Sequence, residues 1–548
     1  MNDDLITRFR WHAADDPARP AVVEVGRSTT TASYDDLDVA ARALAGWLRS
    51  QAAVGDRVLL VQPSPIGFAK AFLGCLYAGC VPVPAPLPGL SDHHLALTTG
   101  IALDAGPRLV LTDTAHLDLV ADWLVQDGLE DLALFATDLV DLSTTEPIDP
   151  VSRSSAAALL YTSTPTSLTG HLLTHAELAA DIDRLDAAVD FAAHGTVGGW
   201  LLTDHGPSLI GLLAGPLSVG ASTVLMSPTG FFRQPLRWLQ LIDDYDVRLT
   251  MAPAFGYDVC VRRIPAADLQ AVDLSRLRTA LIGPDPVPAA TIAAVADRFA
   301  PCGLDPRALT PAYGHGVRVI TVSPPGDRTA GPLVVAADQK ALERNLVQPG
   351  ADGVPLVGCG PVAGTGLRIV DPVEGLALGD DLVGEIELAD GSRTGELGAV
   401  HEGQLYPTGR LTDRLVIDRR SLYADEVERA VNALDPRFAG LSGCVFGIDV
   451  LQEQVVVLQE VRPGIALSEL EALAAVVREG LRDRLRVRVA NVVFLRPGQI
   501  RRSAERVQRT LMRDLFCSDA LGPLLETLGR RTAQTYRIAR SAETAGRP

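Results

Sequence analysis

The first third of the chain alternates between short apolar runs and longer segments with apolar residues three and four positions apart. Residues 57–61 and 109–112 are continuous apolar runs typical of buried parallel strands, and another strand is predicted over 21–24. Helices are predicted over 5–14, from the Ser33-Tyr34 cap through Arg49, and over 66–78. Strands that alternate with helices predict right-handed βαβ units in an open sheet.

One stretch, residues 159–175, places a dense group of hydroxyl side chains between two apolar runs. It predicts a strand, a phosphate-loop-like turn and a second strand, with Thr174-His175 leading into a helix. A phosphate-binding loop needs inward backbone N–H groups, hydroxyls, glycines and usually a lysine. This stretch has the hydroxyls, one glycine and no lysine. An ordinary Ser/Thr-rich turn is therefore a competing interpretation.

Towards the C-terminus, turn residues at 406–413 lie between strand-like segments and predict a hinge. Beyond it we expect an amphipathic helix over 421–434, a buried strand over 454–458 and a helix over 469–484. The segment from Leu524 is polar and rich in arginine, and it predicts a helix with a frayed end. A chain of 548 residues is long enough for several subdomains.

Composition narrows the possible partners. A net charge of −18 argues against nucleic acid or an anionic membrane as the main partner. No apolar run approaches the roughly 20 residues of a membrane-spanning helix, and no secretory signal is visible, so we expect a cytoplasmic protein without a membrane span. The seven cysteines have no CxxC pair or metal-like spacing, which favours reduced thiols. Only Lys70 and Lys340 could serve a mechanism that needs a lysine.

A family resemblance rests on runs distributed over residues 5–518. They include Tyr-Asp-Asp-Leu at 34–37, Gly-Asp-Arg-Val at 55–58, Phe-Leu-Gly-Cys-Leu-Tyr-Ala-Gly at 72–79, Val-Arg-Arg at 261–263 and Leu-Val-Gly-Cys-Gly at 356–360. In these the chain resembles the acyl-activating (adenylate-forming) superfamily, and more narrowly the fatty acyl-AMP ligases that supply lipid chains to acyl carrier proteins.

The resemblance implies an α/β fold with two domains. The large N-terminal domain, residues 1–410, would contain two doubly wound sheets and a distorted β-barrel. A small mobile C-terminal α+β lid would occupy 411–520, followed by a polar helical tail over 521–548.

The resemblance also implies the site residues. His205 would help to position the acyl and adenylate groups, Arg506 stands where the family has its catalytic lysine, and Asp413 matches the hinge acid. The positions implied in nucleotide binding are Thr162, Ser163 and Thr166 in the hydroxyl loop, Gly283 and Asp285 beside adenine, Tyr313 and Gly314, and Glu396 and Arg410 at the ribose.

Several family positions are changed in this chain. The loop lacks its glycine and lysine, the acid after His205 is absent, and so is the acid that helps to hold Mg²⁺. The residues at the changed positions are Thr164, Pro165, Thr169, Gly206, Val317 and Arg506. ATP or AMP and Mg²⁺ are therefore possible but doubtful cofactors, because losing one stabiliser of transition-state charge typically costs about 10²–10³ in rate.

Three functions remain open at this point. We favour a fatty acyl-AMP ligase-like protein with lost or strongly reduced adenylation that still binds an acyl group, an acyl carrier protein or a polyketide synthase. An active ligase that uses Arg506 and a rearranged metal site is the second. The third is an enzyme that acts on an acyl group already activated elsewhere.

Overall fold

The computed structural model describes residues 4–89, 91–141, 152, 154–164, 167–284, 287–323, 331–351, 353–417, 420–450, 452–503 and 506–527. The chain divides into two compact units: unit 1 is residues 1–334 with 357–365, and unit 2 is 335–356 with 366–548. The domain boundary predicted at 410/411 lies inside unit 2 and stays a prediction.

The secondary structure of unit 1 is mixed. Its helices are α1 (Leu5–Asp15), α2 (Tyr34–Gln51), α3 (Pro65–Ala78), α4 (Asp92–Ala105), α5 (Leu117–Gln126), α6 (His175–Val189), α7 (Phe191–His194), α8 (Gly206–Leu209), α9 (Gly215–Ser218), α10 (Pro228–Arg233), α11 (Leu236–Asp244), α12 (Ala254–Arg263) and α13 (Ala289–Phe299). Its strands are β1 (Pro20–Val25), β2 (Thr29–Ser33), β3 (Arg57–Leu60), β4 (Val81–Pro84), β5 (Leu109–Thr112), β6 (Ala133–Ala136), β7 (Ala156–Thr164), β8 (Ser167–Thr174), β9 (Thr196–Gly199), β10 (Ser222–Met226), β11 (Leu249–Ala252), β12 (Thr279–Ile282), β13 (Leu309–His315) and β14 (Arg318–Val322).

Two sheets organise unit 1. Strands β4-β3-β5-β6 form a parallel sheet, and an eight-stranded, mostly parallel sheet has the order β14-β13-β12-β11-β9-β10-β1-β2. The apolar run of β3 is buried, with Val58, Leu59 and Leu60 at 0 % exposure, because helices cover a parallel sheet on both faces. The predicted βαβ sheets and the helices at 5–14, 34–49 and 66–78 are confirmed within one or two residues.

From residue 334 onward the strands are mostly antiparallel. The helices are α14 (Gln339–Leu342), α15 (Ala424–Asn432), α16 (Leu467–Leu485) and α17 (Arg509–Cys517). The strands are β15 (Val334–Ala337), β16 (Val354–Val357), β17 (Arg368–Val370), β18 (Gly384–Glu387), β19 (Arg393–His401), β20 (Gln404–Arg410), β21 (Arg414–Ile417), β22 (Arg420–Tyr423), β23 (Gly443–Val450), β24 (Gln452–Glu460), β25 (Val489–Leu495), β26 (Arg502–Ser503), β27 (Arg506–Val507) and β28 (Leu525–Glu526).

Three expectations for this part need correction. Within the hinge expected over 406–413, residues 406–410 belong to strand β20, in which Pro407 pairs with Gly398 beside a register shift, and residues 411–413 form a short 3-10 turn. The helix expected over 421–434 is shorter, because 420–423 pair with β21 before α15 begins. Leu525–Glu526 pair with β25 and are not helical, and residues 528–548 lie outside the described part of the chain.

The antiparallel sheet β17-β18-β19-β20 lies within residues 1–410, the part of the chain in which a distorted barrel was expected. The sheet β23-β24-β25-β28 packs with α15 and α16 around a separate apolar core in unit 2, which is the expected α+β arrangement. Six cysteines are buried and Cys517 is half-buried, and none of these seven described residues forms a disulfide. Among the described residues, no helix is both long and apolar enough to cross a membrane.

Candidate functional site

The hydroxyl-rich stretch forms a hairpin of two antiparallel strands. Strands β7 and β8 pair along their length up to Thr164 opposite Ser167, which leaves only positions 165 and 166 to connect them. Thr174 caps α6: its side chain accepts a hydrogen bond from the backbone N–H of Glu177, whose carboxylate accepts one from the N–H of Thr174. The two predicted strands and the helix are confirmed, while the predicted turn at positions 165 and 166 lies outside the described residues.

Alternation along the hairpin separates the two described hydroxyl candidates. Successive strand residues point to opposite faces, so Thr162 and Ser163 do not share a surface. Thr162 Oγ1 lies 3.0 Å from His171 Nε2, while Ser163 is exposed. Thr166, the third candidate, lies outside the described residues.

His205 immediately precedes the short helix α8. Its carbonyl accepts hydrogen bonds from the N–H of Leu209 at 2.8 Å and from Ser208 Oγ at 2.9 Å, while the residue itself is exposed. These bonds fix the backbone of His205 at the start of α8.

Gly206 and Val317 meet directly behind His205. A Cβ added to Gly206 would lie 2.4 Å from the Val317 carbonyl oxygen and 2.6 Å from Val317 Cβ. Val317 belongs to the two-residue turn between β13 and β14, yet it is only 2 % exposed and packs in the apolar core. The two positions at which the resemblance implies acids therefore face each other without an oxygen on either side chain.

The loop implied to contact adenine lies at the ends of β12 and β13. Gly283 has φ of +154°, and a Cβ there would lie 2.5 Å from the Ala312 carbonyl oxygen, so only glycine fits without a shift. Gly314 donates its N–H to the Pro284 carbonyl at 3.2 Å. Tyr313 is buried. The structure thus brings Gly283, Tyr313 and Gly314 together, while Asp285 lies outside the described residues.

In unit 2, Glu396 and Arg410 are opposite each other on β19 and β20. Arg410 Nη2 lies 3.4 Å from Glu396 Oε1, and the Glu396 side chain is 12 % exposed. The preceding Gly395 has φ of +70° and donates its N–H to Glu385 Oε1 at 2.9 Å. The pair implied in ribose binding is therefore formed, and it lies next to Gly395, whose backbone is held by Glu385.

Asp413 belongs to an ion-paired cluster within unit 2. Arg509 Nη1 lies 2.9 Å from Asp413 Oδ2, and its Nε and Nη2 donate to both carboxylate oxygens of Glu428 at 3.0 and 2.7 Å. Burial raises the pKa of Glu428, and Arg509 opposes that shift. Arg506 lies on β27, whose backbone pairs with Ser503; its side chain is outside what the structure describes.

Sequence reasoning missed Asp204, the residue before His205. It lines a small, mostly apolar pocket at the carboxyl ends of β3, β4, β9 and β10, together with Gln62 and Thr203. Gln62 is 8 % exposed, and its Oε1 has no hydrogen-bond partner among the described residues. Burial raises the pKa of Asp204 to about 6. In the sequence, Asp204 is a single acid between two apolar runs, and this pattern did not indicate that it lines a pocket.

A sequence model of AMP-binding enzymes matches residues 9–392. The chain belongs to the AMP-binding enzyme family. It is 30% identical to the long-chain-fatty-acid–AMP ligase FadD26 of Mycobacterium marinum over 81% of this chain and 84% of that protein. It is 29% identical to the medium-chain-fatty-acid–[acyl-carrier-protein] ligase JamA of Moorena producens over 90% of this chain and 91% of that one.

Solved structures of this family have the same fold. The fatty acyl-adenylate ligase of L. pneumophila in complex with acyl adenylate and pyrophosphate is 25% identical, with a TM-score of 0.68 over 95% of this chain and 97% of that one. A structure from studies of the fatty acyl-adenylate ligases of E. coli and L. pneumophila has a TM-score of 0.81 at 24% identity, over 98% of both chains. The predicted family and its α/β fold are therefore confirmed.

Proposed function

We propose that this chain is a fatty acyl-AMP ligase-like protein of lipid or polyketide metabolism that binds an acyl group or an acyl carrier protein and has lost most of its ATP-dependent acyl adenylation. The acyl part of the proposal is supported by relatives that act on fatty acids and, for JamA, on an acyl carrier protein.

The observation that carries the loss of adenylation is the packing of Val317 against Gly206. Mg²⁺ is a hard cation that binds carboxylates, phosphates and water. It neutralises charge as pyrophosphate leaves. Val317 is buried in an apolar core and Gly206 has no side chain, so these two positions do not fit a Mg²⁺ ion.

The hairpin gives independent support. Strands β7 and β8 pair up to Thr164 and Ser167, so many of their backbone N–H groups form inter-strand hydrogen bonds. A phosphate-binding loop instead needs several N–H groups turned towards the anion. Thr169 occupies the position before Gly170 where the resemblance implies a lysine, and its hydroxyl carries no charge. Binding of triphosphate should therefore be weak.

Adenylation is tested by measuring pyrophosphate release and acyl-hydroxamate formation with ATP, Mg²⁺ and a panel of fatty acids. We expect rates about 10²-fold or more below those of an active fatty acyl-AMP ligase assayed in parallel. Ordinary turnover would instead establish an active ligase. Binding of fluorescent fatty acids and of acylated carrier protein tests the retained function, and the proposal fails if neither binds.

Restoring the changed residues tests whether only the adenylation chemistry is lost or whether the rest of the binding site is altered as well. Val317→Glu, combined with Arg506→Lys, should raise the adenylation rate if the remaining site is intact. Val54→Glu is a matched control in unit 1, because Val54 is 81 % exposed and carries the same charge change at the surface. Unfolding curves of both variants show whether a buried glutamate at 317 has disrupted the fold.

A further inference from the structure

The pocket that contains Asp204 is built from four strand ends of unit 1. Gln62 lies just after β3, Ala85 just after β4 and Ser227 just after β10, while Thr203 and Asp204 belong to the segment that follows β9. In each sheet the two strands involved are parallel neighbours. Ligands of open α/β sheets bind outside the carboxyl ends of such strands, so this is a place in the fold where a ligand is expected.

The walls of this pocket are mostly apolar and the space between them is small. The apolar wall includes Pro63, Pro65, Pro86, Leu87, Leu201 and Met226. About 40 Å³ of the pocket admits groups the size of a water molecule. One water needs roughly 10–15 Å³ on this measure, so there is room for about three such groups. The pocket therefore fits a small polar end group with the first carbons of its stem.

Asp204 has no counter-charge in this pocket. Within the described part of the chain it forms no ion pair, and the one contact that lowers its pKa is the hydrogen bond from its own backbone N–H. Burial raises that pKa to about 6, so the carboxylate is still ionised at pH 7.5. A carboxylate in mostly apolar surroundings is costly unless a cation pairs with it. The pocket is thus electrostatically suited to a cation.

Gln62 supplies a second acceptor. Its side chain is 8 % exposed, and its Nε2 donates to Thr137 Oγ1 at 3.1 Å. Thr137 Oγ1 donates in turn to the Thr112 carbonyl at 3.2 Å, which fixes the orientation of the amide. Gln62 Oε1 has no donor among the described residues. Buried polar atoms are normally hydrogen-bonded, so a ligand with N–H groups would complete this side chain.

We propose that this pocket binds the ammonium group of an aliphatic primary amine, with the Asp204 carboxylate and Gln62 Oε1 as acceptors. An ammonium group is compact and has three N–H donors, enough for both acceptors and one water. The apolar wall would contact the first methylene groups. The inference goes beyond the proposed function and does not depend on it, because no residue implied in nucleotide binding lines the pocket.

The test is calorimetric titration of the full chain at pH 7.5 with butylamine, butan-1-ol and butyrate. Butylamine is protonated at this pH, butan-1-ol has the same chain without a charge, and butyrate has the opposite charge. We expect a dissociation constant on the order of 1 mM for butylamine, which is within reach of a ligand of this size. The alcohol and the acid should bind at least about tenfold more weakly. Equal affinity for amine and alcohol, or no amine binding at about 50 mM, would overturn the inference.

Met226 reports where the amine binds. It lines the pocket and is 3 % exposed, whereas Met251 and Met512 are buried outside the pocket lining. In protein labelled at the methionine methyl groups, butylamine should shift the Met226 signal and leave the other two in place. Met226→Leu assigns the signal by its loss. Amine binding with an unshifted Met226 signal would place the amine elsewhere and refute this site.

Substitutions identify the acceptors. Asp204→Asn keeps the shape of the side chain and removes its charge, so butylamine affinity should fall at least about tenfold while butan-1-ol affinity stays the same. Gln62→Met keeps the length and removes the acceptor, and it should weaken amine binding about threefold. Asp16→Asn removes an exposed negative charge and is the matched control, with unchanged amine affinity. Unchanged affinity in Asp204→Asn would exclude the proposed ion pair.

Two further comparisons separate the possible outcomes. Acetyl-lysine amide carries the same ammonium group on a peptide: affinity equal to that of butylamine would identify a lysine side chain as a source of the ligand, and much weaker binding would identify a free amine. Fatty-acid and carrier-protein binding are measured on the same preparation. Amine binding without either of them would leave this site and remove the proposed function, and the reverse result would remove only this site.

Discussion

The Gly206 Cα and the Val317 carbonyl are so close that a methyl group at 206 would lie 2.4 Å from that oxygen. Both residues follow implied functional residues, Gly206 after His205 and Val317 after Tyr313-Gly314. A side chain at position 206 would therefore meet the backbone and the Cβ of Val317 in the turn between β13 and β14.

Gly206→Ala tests this contact. We expect a loss of about 1–3 kcal/mol in the free energy of unfolding, because the clash is with backbone atoms that cannot rotate away. Gly26→Ala is the control, since its added Cβ would meet nothing closer than 3.5 Å. Thermal and urea unfolding measure both; equal stability of the two variants would contradict the described packing.

Asp204→Asn tests the pocket-lining carboxyl before His205. Burial raises the pKa of Asp204 to about 6, so the folded protein binds its proton more tightly than the unfolded chain does. Its ionisation therefore removes stability as pH rises from about 4 to 6, and the deficit persists above that.

The substitution should increase the free energy of unfolding by about 1–2 kcal/mol near pH 7.5 and have little effect near pH 4. Exposed Asp16→Asn serves as control at each pH. A pH-independent difference between Asp204→Asn and the unmodified protein would refute the assignment.

Arg509→Gln tests the ion-paired cluster of unit 2. It would leave Glu428, at 9 % exposure, without its counter-charge, and breaking a buried pair in this way costs about 3–5 kcal/mol. Arg429→Gln on the same segment as Glu428 is the control, because its 3.5 Å pair with Asp425 is exposed and worth at most about 1 kcal/mol. Hydrogen exchange of α15 and α17 would localise the loss, and similar exchange in both variants would count against the cluster.

Glu396→Gln tests whether the Glu396–Arg410 pair implied in ribose binding still holds the ribose of AMP or of an acyl adenylate. A hydrogen bond to a charged group contributes about 1.5–3 kcal/mol, so we expect roughly tenfold or greater weakening of AMP or acyl-adenylate binding. Glu402→Gln, in the exposed turn of the same hairpin, should bind as the unmodified protein does. Unchanged affinity in Glu396→Gln would exclude the ribose role.

Local sequence features predicted most of the fold because they act over a few residues. Thr174 and Glu177, three positions apart, form a capping box. The apolar run at 57–61 indicates a buried strand from its own residues alone. Residues 406–410 of the expected 406–413 hinge are a strand instead, because pairing with β19 accommodates Pro407 beside a register shift, and that pairing depends on a distant strand rather than on the local sequence.

The candidate site was less predictable for the same reason. Arg509 joins Glu428 and Asp413, which lie 81 and 96 residues away in sequence, so no local pattern could pair them. His171 could have been found: polar residues at 167, 169 and 171 alternate with Leu168, Gly170 and Leu172, which indicates one polar face of a strand. Its contact with Gly316 could not, because only the fold brings the turn after β13 to His171.

The distribution of cysteines makes the unmodified chain suitable for spectroscopy. Six thiols are buried, whereas Cys517 at the end of α17 is half-buried. A maleimide dye should therefore react first at Cys517 and label the C-terminal segment without any engineered residue. Changes in its fluorescence on adding an acyl chain or a nucleotide would then report ligand-dependent rearrangement in unit 2 directly.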